Sequence, residues 1–81
     1  MSEDCKSTLM IIIEKALELE PGALKVNSSS ERIENWDSLG QLSILVALDR
    51  HFDGRISGLS EMAEANSVLK ILKILKKNSI C

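Results

Sequence analysis

The sequence predicts an all-α fold, a small four-helix bundle of three main helices and a short third helix, with a long loop between helices one and two. Apolar residues recur at spacings of three and four in separate segments, and turn-forming residues stand between those segments. Hydrophobic residues make up 44% of the chain but aromatic residues only 2%, which indicates an aliphatic core. Because 81 residues suit one compact domain, we expect residues 1–81 to form a single domain.

The first predicted helix runs from about Cys5 to Leu19, where charged residues separate the apolar positions. Ser2 or Asp4 is expected to cap it. Pro21 and Gly22 should end it, because proline cannot continue a helix.

A Ser- and Asn-rich segment, residues 23–36, lacks either periodicity and is predicted to form one long connection. A loop of this length in a small domain needs side chains that hold it to the core. The expected tethers are Leu24, Val26, Ile33 and Trp36.

Helix two is predicted from Ser38 to about Phe52, and Asp53–Gly54 should end it. Its first residue stays open, because Asp37 and Ser38 are both good N-caps and Ser38 with Gln41 matches a capping box. The apolar positions that recur at helical spacing are Leu39, Leu42, Leu45, Val46 and Phe52.

Two shorter helices are predicted in the last third of the chain. Ser60 is expected to cap a brief helical stretch that contains Met62 and Ala65. Asn66 or Ser67 should start a last helix with apolar residues on one side. The lysines expected on its other side are Lys70, Lys73, Lys76 and Lys77.

The net charge of −2 gives no basic field that would neutralise nucleic-acid phosphates, so we expect no nucleic-acid partner. The longest apolar stretch, Leu9–Ile13, is too short to cross a bilayer, and we expect no membrane partner. Cys5 and Cys81 lack metal-ligand spacing and are expected to be free thiols in the cytoplasm. The alternative is a disulfide bond between them, which requires the two termini to meet.

Catalytic constellations are missing from the sequence, which favours a protein that is not an enzyme. It has one histidine, no glycine-rich phosphate loop and no nucleophile elbow. We expect His51 to be a surface residue near the end of helix two, where its cationic form suits the helix dipole.

Ser38 stands at a predicted helix start after a long loop. A phosphodiester attached there would face unpaired backbone N–H groups and the positive end of the helix dipole. Position alone also fits an ordinary N-cap serine, which is the commoner case.

The segment Asp37-Ser38-Leu39, between a long loop and an amphipathic helix ending in Leu48–Phe52, resembles the Asp-Ser-Leu motif and second helix of acyl carrier proteins. The similarity extends to Ile56 after helix two and to Asn66-Ser67-Val68 at the start of the last helix. It therefore covers essentially the whole chain.

The resemblance implies that Ser38 carries a covalent 4'-phosphopantetheine arm, transferred from coenzyme A by a phosphopantetheinyl transferase. The arm's thiol would hold an acyl group as a thioester and present it to a loading ligase or acyltransferase and to condensing or transfer enzymes. Asp37 and Leu39 would contact these partners, although Asp37 also suits a helix cap and Leu39 the core. The carrier would act as a monomer.

The family further suggests an acyl-chain pocket lined by Leu42, Val46, Ile56 and Met62, for which ordinary core packing is the alternative. Trp36 would either lie beside the arm or pin the loop to the core.

Helix two departs from the family because Asp49 is its only acid and Arg50 and His51 follow it. Weak acidic steering favours a specialised pathway over general fatty-acid synthesis. Gly40, unusual so early in the helix, would let the arm or a partner approach the backbone. Two alternatives stay open: an aminoacyl or peptidyl carrier, whose usual Gly-Gly-His/Asp-Ser-Leu motif is not matched by Glu34-Asn35-Trp36, and a helical interaction module that docks through helix two.

Overall fold

The computed structural model describes residues 2–80, and the side chains of residues 5–80. It contains three α-helices and one 3-10 helix, and the prediction of a helical fold is confirmed in that form. The only β-type pairing within residues 2–80 is an isolated bridge between Ser29 and Ser67. The helices are α1 (Ser2–Ala16), α2 (Ser38–His51), the 3-10 helix (Ser60–Glu64) and α3 (Val68–Lys77).

The core is aliphatic, with Trp36 as its one buried aromatic side chain. Helices α1 and α2 run antiparallel, because Leu17 near the end of α1 meets Gly40 at the start of α2, while Ile12 shares a hollow with Ala47. Each fully buried Leu or Ile side chain contributes about 1.5–3 kcal/mol. The fully buried Leu and Ile side chains of the three α-helices are Leu9, Ile13, Ile44, Leu48, Ile71 and Leu75.

Helix α1 starts and ends earlier than the sequence predicts. The expected cap at Ser2 or Asp4 is wrong, because the backbone of both residues is already helical. At the other end, Glu18 adopts a φ of 57°, and the Leu19 N–H donates to the Glu14 carbonyl at 2.8 Å. This left-handed C-terminal turn ends the helix before Pro21 is reached.

The loop between α1 and α2 is tethered by a set of residues that differs from the predicted one. Leu24 and Trp36 are buried and Ile33 is half-buried, as expected. The prediction for Val26 is wrong, because 37% of its surface is exposed.

Ser28 is a tether that the sequence analysis missed. Its side chain is buried, and its hydroxyl accepts the Lys25 N–H at 2.8 Å. Its carbonyl accepts the Val68 N–H at 3.1 Å, and the neighbouring Ser30 N–H donates to the Asn66 carbonyl at 2.9 Å. Backbone hydrogen bonds therefore hold the loop to the start of α3.

Helix α2 turns a different face to the core from the one predicted. Its buried residues are Gly40, Ile44 and Leu48. Of the predicted stripe, Leu45 and Phe52 are half-buried, and the other three members are exposed. The helix is apolar on both sides, so spacing alone did not identify the inner face. The exposed members are Leu39 (75%), Leu42 (57%) and Val46 (48%).

The predicted stop at Asp53–Gly54 is confirmed, since both residues have positive φ, 55° and 81°. The predicted Ser60 cap is wrong, because the residue before the 3-10 helix is Leu59, without a side-chain cap. Helix α3 is capped by Ser67, whose hydroxyl accepts the Lys70 N–H at 3.1 Å. The α3 lysines are exposed, as predicted.

The expectation of a free thiol is wrong for Cys5, which is disulfide-bonded. Cys81, the other cysteine of that prediction, lies outside the described residues. Within residues 2–80, no helix has both the length and the apolar character needed to span a bilayer.

Candidate functional site

Ser38 is the first residue of α2, and its side chain is exposed. Asp37 is the N-cap: one of its carboxylate oxygens accepts the Gly40 N–H at 2.9 Å, and its carbonyl accepts the Gln41 N–H at 2.8 Å. The Ser38 hydroxyl forms no hydrogen bond with the described part of the chain. Of the two predicted N-caps, Asp37 therefore performs the capping, and the Ser38 side chain is left exposed to solvent.

The Gln41 side chain does not complete the predicted capping box. Its amide nitrogen donates to the carbonyls of Met62 and Ala65 at 3.1 and 3.0 Å, while its oxygen accepts the Trp36 indole N–H at 2.6 Å. It thus joins the end of the loop, the start of α2 and the 3-10 helix. Trp36 is only 2% exposed and pins the loop to the core, which is one of its two predicted roles.

Gly40 allows the protein's own backbone, rather than an arm or partner, to approach α2. A Cβ atom at this position would collide with the Asn35 carbonyl oxygen and would lie 2.8 Å from a methyl group of Leu17. The Asn35 side-chain amide donates to the Leu17 carbonyl at 3.0 Å and fixes this junction. The residues next to Ser38 are therefore held by packing and hydrogen bonds, which is how a site is kept in a defined position.

A polar cavity of about 680 Å³ opens beside Ser38. Trp36, Asp37 and Ser38 line one side of it, with hydrogen-bonding groups from the loop before α3 and from α3 on the other. A chain that contains amide or phosphate groups would find both donors and acceptors there. The lining is completed by Ser30, Gln41, Ala63, Glu64, Asn66 and Lys70.

The four residues of the predicted acyl pocket come together in a second cavity of about 490 Å³. Ile56 and Met62 are buried, while Leu42 and Val46 are exposed, so the cavity opens onto the outer face of α2. The alternative role, ordinary core packing, therefore fits Ile56 and Met62 but not the exposed Leu42 and Val46. The cavity is also lined by Leu45, Asp49, Arg50, Ser57, Leu59, Ser60 and Ala63.

None of the exposed residues of α2 is acidic. Its one acid, Asp49, is half-buried, and the same carboxylate oxygen accepts the N–H groups of Ile56 and Ser57 at 3.1 and 2.9 Å. His51 lies on the surface, as predicted, with its ring edge-on to Phe52 at a centroid distance of 4.8 Å. The exposed residues of the helix are Ser38, Leu39, Leu42, Ser43, Val46, Arg50 and His51.

Of the two predicted partner-contact residues, Leu39 is the more exposed. Its 75% exposure excludes the alternative that it belongs to the core. Asp37 is exposed as well, but one of its carboxylate oxygens is engaged by the helix cap. Both residues flank Ser38 at the surface.

Comparisons of the chain with protein-family models, with curated proteins and with solved structures gave no match.

Proposed function

We propose that the chain is an acyl carrier protein, with a 4'-phosphopantetheine arm attached to Ser38 and the acyl group held on the arm's thiol as a thioester. The observation that carries the proposal is the state of the Ser38 hydroxyl. It is exposed and unbonded at the first residue of α2, while Asp37 caps the helix. A serine that only capped the helix would use its hydroxyl for that purpose.

In the attachment step, the Ser38 hydroxyl oxygen forms a bond to the phosphorus that carries the pantetheine in coenzyme A. The bond from that phosphorus to the departing adenosine bisphosphate breaks, and a base of the transferase takes the serine proton. The phosphodiester left on Ser38 lies at the positive end of the α2 dipole, which favours an anion. The Asp37 carboxylate at the cap opposes it, so the dipole is offset by a neighbouring negative charge.

The two cavities that flank the outer face of α2 suit the two parts of the cargo. The polar cavity beside Ser38 suits the arm, which contains amides, and the apolar cavity at Leu42 and Val46 suits an acyl chain. In this proposal the 3-10 helix serves as the short third helix of a four-helix carrier bundle. The carrier itself catalyses no reaction and acts as a cytoplasmic monomer.

The proposed partners are a phosphopantetheinyl transferase, an acyl-loading ligase or acyltransferase, and downstream condensing or transfer enzymes. Because none of the exposed residues of α2 is acidic, we assign these enzymes to a specialised lipid or metabolite pathway rather than to general fatty-acid synthesis.

Intact-mass measurement tests the attachment. The apo protein is incubated with coenzyme A and a promiscuous phosphopantetheinyl transferase, and the expected result is a gain of one phosphopantetheine group. Ser38→Ala should gain nothing. Ser43→Ala, which removes another exposed hydroxyl from the same helix, should gain as much as the wild type. Absence of any gain in the wild-type protein, or an equal gain in Ser38→Ala, would rule out the proposal.

Two other functions have distinct outcomes. An aminoacyl or peptidyl carrier would also accept the arm, but amino-acid adenylating enzymes would load it and acyl ligases would not. One observation favours a helical interaction module, which is the exposure of three apolar residues of α2, Leu39, Leu42 and Val46. That function gains support if the protein from its own cells is unmodified at Ser38 and still binds a partner.

A further inference from the structure

We propose that the enzymes acting on Ser38 dock on a stripe of α2 whose two ends have opposite charge, so that partners must carry basic groups at one end and carboxylates at the other. The docking stripe is defined as Leu39, Leu42, Val46 and Arg50. The proposal rests on the proposed function, because it concerns enzymes that reach Ser38.

The middle of the docking stripe is apolar and exposed. Leu39, Leu42 and Val46 follow one another at spacings of three and four, so they form one ridge along the helix. Each of these residues is between 48 and 75% exposed, although the same helix buries Ile44 and Leu48 completely. A contiguous exposed apolar ridge next to a candidate modification site marks a surface that another molecule covers.

The Ser38 end of the docking stripe is acidic. Asp37 and Glu18 line a hollow together with Leu39. On the other side of Ser38, Glu64 lines the polar cavity together with one cation, Lys70. The Lys70 ammonium group donates to the Asn66 side-chain oxygen. A partner that approaches this end therefore meets carboxylates on both sides of the serine.

The far end of the docking stripe is basic, because Arg50 and Lys15 line one hollow. The other residues that line this hollow are Ile12, Ala47 and His51.

One carboxylate lies close to this basic end, because Asp49 lines the same cavity as Arg50. It is half-buried, and one of its oxygens accepts two N–H groups of the following loop. Among the side chains of residues 5–80, the one ion pair joins Lys77 to Glu61, so Arg50 is not paired within the described part of the chain. Its charge is available to a partner.

The two charged ends act independently. Ser38 and Arg50 are twelve positions apart, which is about 18 Å along a helix. This distance exceeds the screening length of about 8 Å at physiological ionic strength. A partner with basic groups near Ser38 and carboxylates near Arg50 is attracted at both ends, whereas the reversed orientation places like charges together at both. The docking stripe therefore fixes the direction in which a partner lies along α2.

Arm-transfer kinetics test this proposal with a transferase whose carrier-binding face is basic throughout. At low salt, Arg50→Glu should raise kcat/KM about fivefold or more, because it converts a repulsive contact into an attractive one, and 0.5 M salt should remove the gain. Lys73→Glu makes the same charge change on α3, away from the docking stripe, and should alter kcat/KM less than twofold. Leu42→Ser should lower kcat/KM about tenfold.

A second transferase, in which glutamates replace the basic residues of the carrier-binding face, should reverse the order, so that the wild-type chain reacts faster than Arg50→Glu. Equal effects of Arg50→Glu and Lys73→Glu, or the same order with both transferases, would overturn the docking stripe. That result differs from failure of the proposed function, in which neither the wild-type chain nor any variant gains the arm. Thermal unfolding of each variant confirms that it folds.

Discussion

The two faces of α2 are equally apolar in sequence but differ in what they contact. Gly40, Ile44 and Leu48 lie against α1 and the core, whereas Leu39, Leu42 and Val46 face solvent beside Ser38. Hydrophobic character alone therefore did not decide which face is buried. The difference teaches that one short helix both completes the core and displays an apolar ridge beside the candidate attachment site.

Two contacts on the inner side select the buried face. The missing side chain of Gly40 lets the Asn35 carbonyl and Leu17 approach the start of α2. The next residue, Gln41, binds Trp36, Met62 and Ala65 through three hydrogen bonds. Rotating α2 to bury the docking stripe would break both, leaving buried polar groups unpaired at a cost of about 1–3 kcal/mol each.

The largest expected effect comes from truncating the buried face. Leu48→Ala should lower the free energy of unfolding by about 2–5 kcal/mol, because it removes packed methyl groups and leaves a cavity. Leu42→Ala makes the same chemical change on the exposed face and should cost less than about 0.5 kcal/mol. Urea unfolding of both variants measures the two losses in the free energy of unfolding. Equal losses would mean that the two faces are not distinct.

Gly40 gives the second test of the difference between the two faces, because the loop backbone approaches the buried face there. Gly40→Ala should cost about 1–3 kcal/mol, because the added methyl group collides with the Asn35 carbonyl and the chain must shift. Gly58→Ala is the matched control, since a Cβ there meets no atom within 4 Å. A Gly40→Ala protein as stable as Gly58→Ala would contradict the close approach at this junction.

Substitutions at Asp37 and Ser38 are expected to have a smaller effect on the free energy of unfolding. Asp37→Ala removes the N-cap and should lower the free energy of unfolding by about 1 kcal/mol. Ser38→Ala removes a hydroxyl without a partner in the described structure and should change it by less than about 0.5 kcal/mol. Urea unfolding of the unmodified proteins tests this pair. A larger loss from Ser38→Ala than from Asp37→Ala would return the capping role to Ser38.

The smallest effect concerns a surface contact that depends on neither face of α2. Hydrogen bonds from Asn78 and then Lys77, each 3.3 Å long, hold the pKa of Glu61 below its ordinary value of 4.5. Because the folded-state pKa is lowered, this stabilisation is present above pH 4.5 and is lost as the pH falls through the folded-state pKa.

The stability difference between the wild type and Glu61→Gln should therefore shrink on going from pH 7 to pH 3. Comparing the urea midpoints of the two proteins at both pH values measures it. A difference that grows on acidification would show that the sign of the pKa shift is wrong.

Sequence periodicity predicted the number and order of the helical segments, and the turn residues predicted the end of α2. It failed where two physical signals competed. The end of α1 was assigned to Pro21 and Gly22, but Glu18 already takes the left-handed conformation that ends the helix. Ile44 and Leu48 were omitted from the predicted apolar positions of α2, because a helix with two apolar faces has no single stripe.

At the candidate site, the sequence placed Ser38 and Asp37 at the helix start but left open which of them is the cap. Choosing between them requires the backbone geometry at Asp37, which residue type does not determine. The roles of Gln41 and Ser28 depend on hydrogen bonds to residues distant in sequence, Met62 and Ala65 for Gln41 and Val68 for Ser28. Local patterns carry no signal for such bonds.

Peptide mass spectrometry of the protein purified from its own cells tests the central claim most directly. The account predicts phosphopantetheine on the peptide that contains Ser38, with an acyl thioester on a fraction of the molecules and no modification at Ser43. Protein that carries out its cellular role with Ser38 unmodified, or with the arm on another residue, would contradict it.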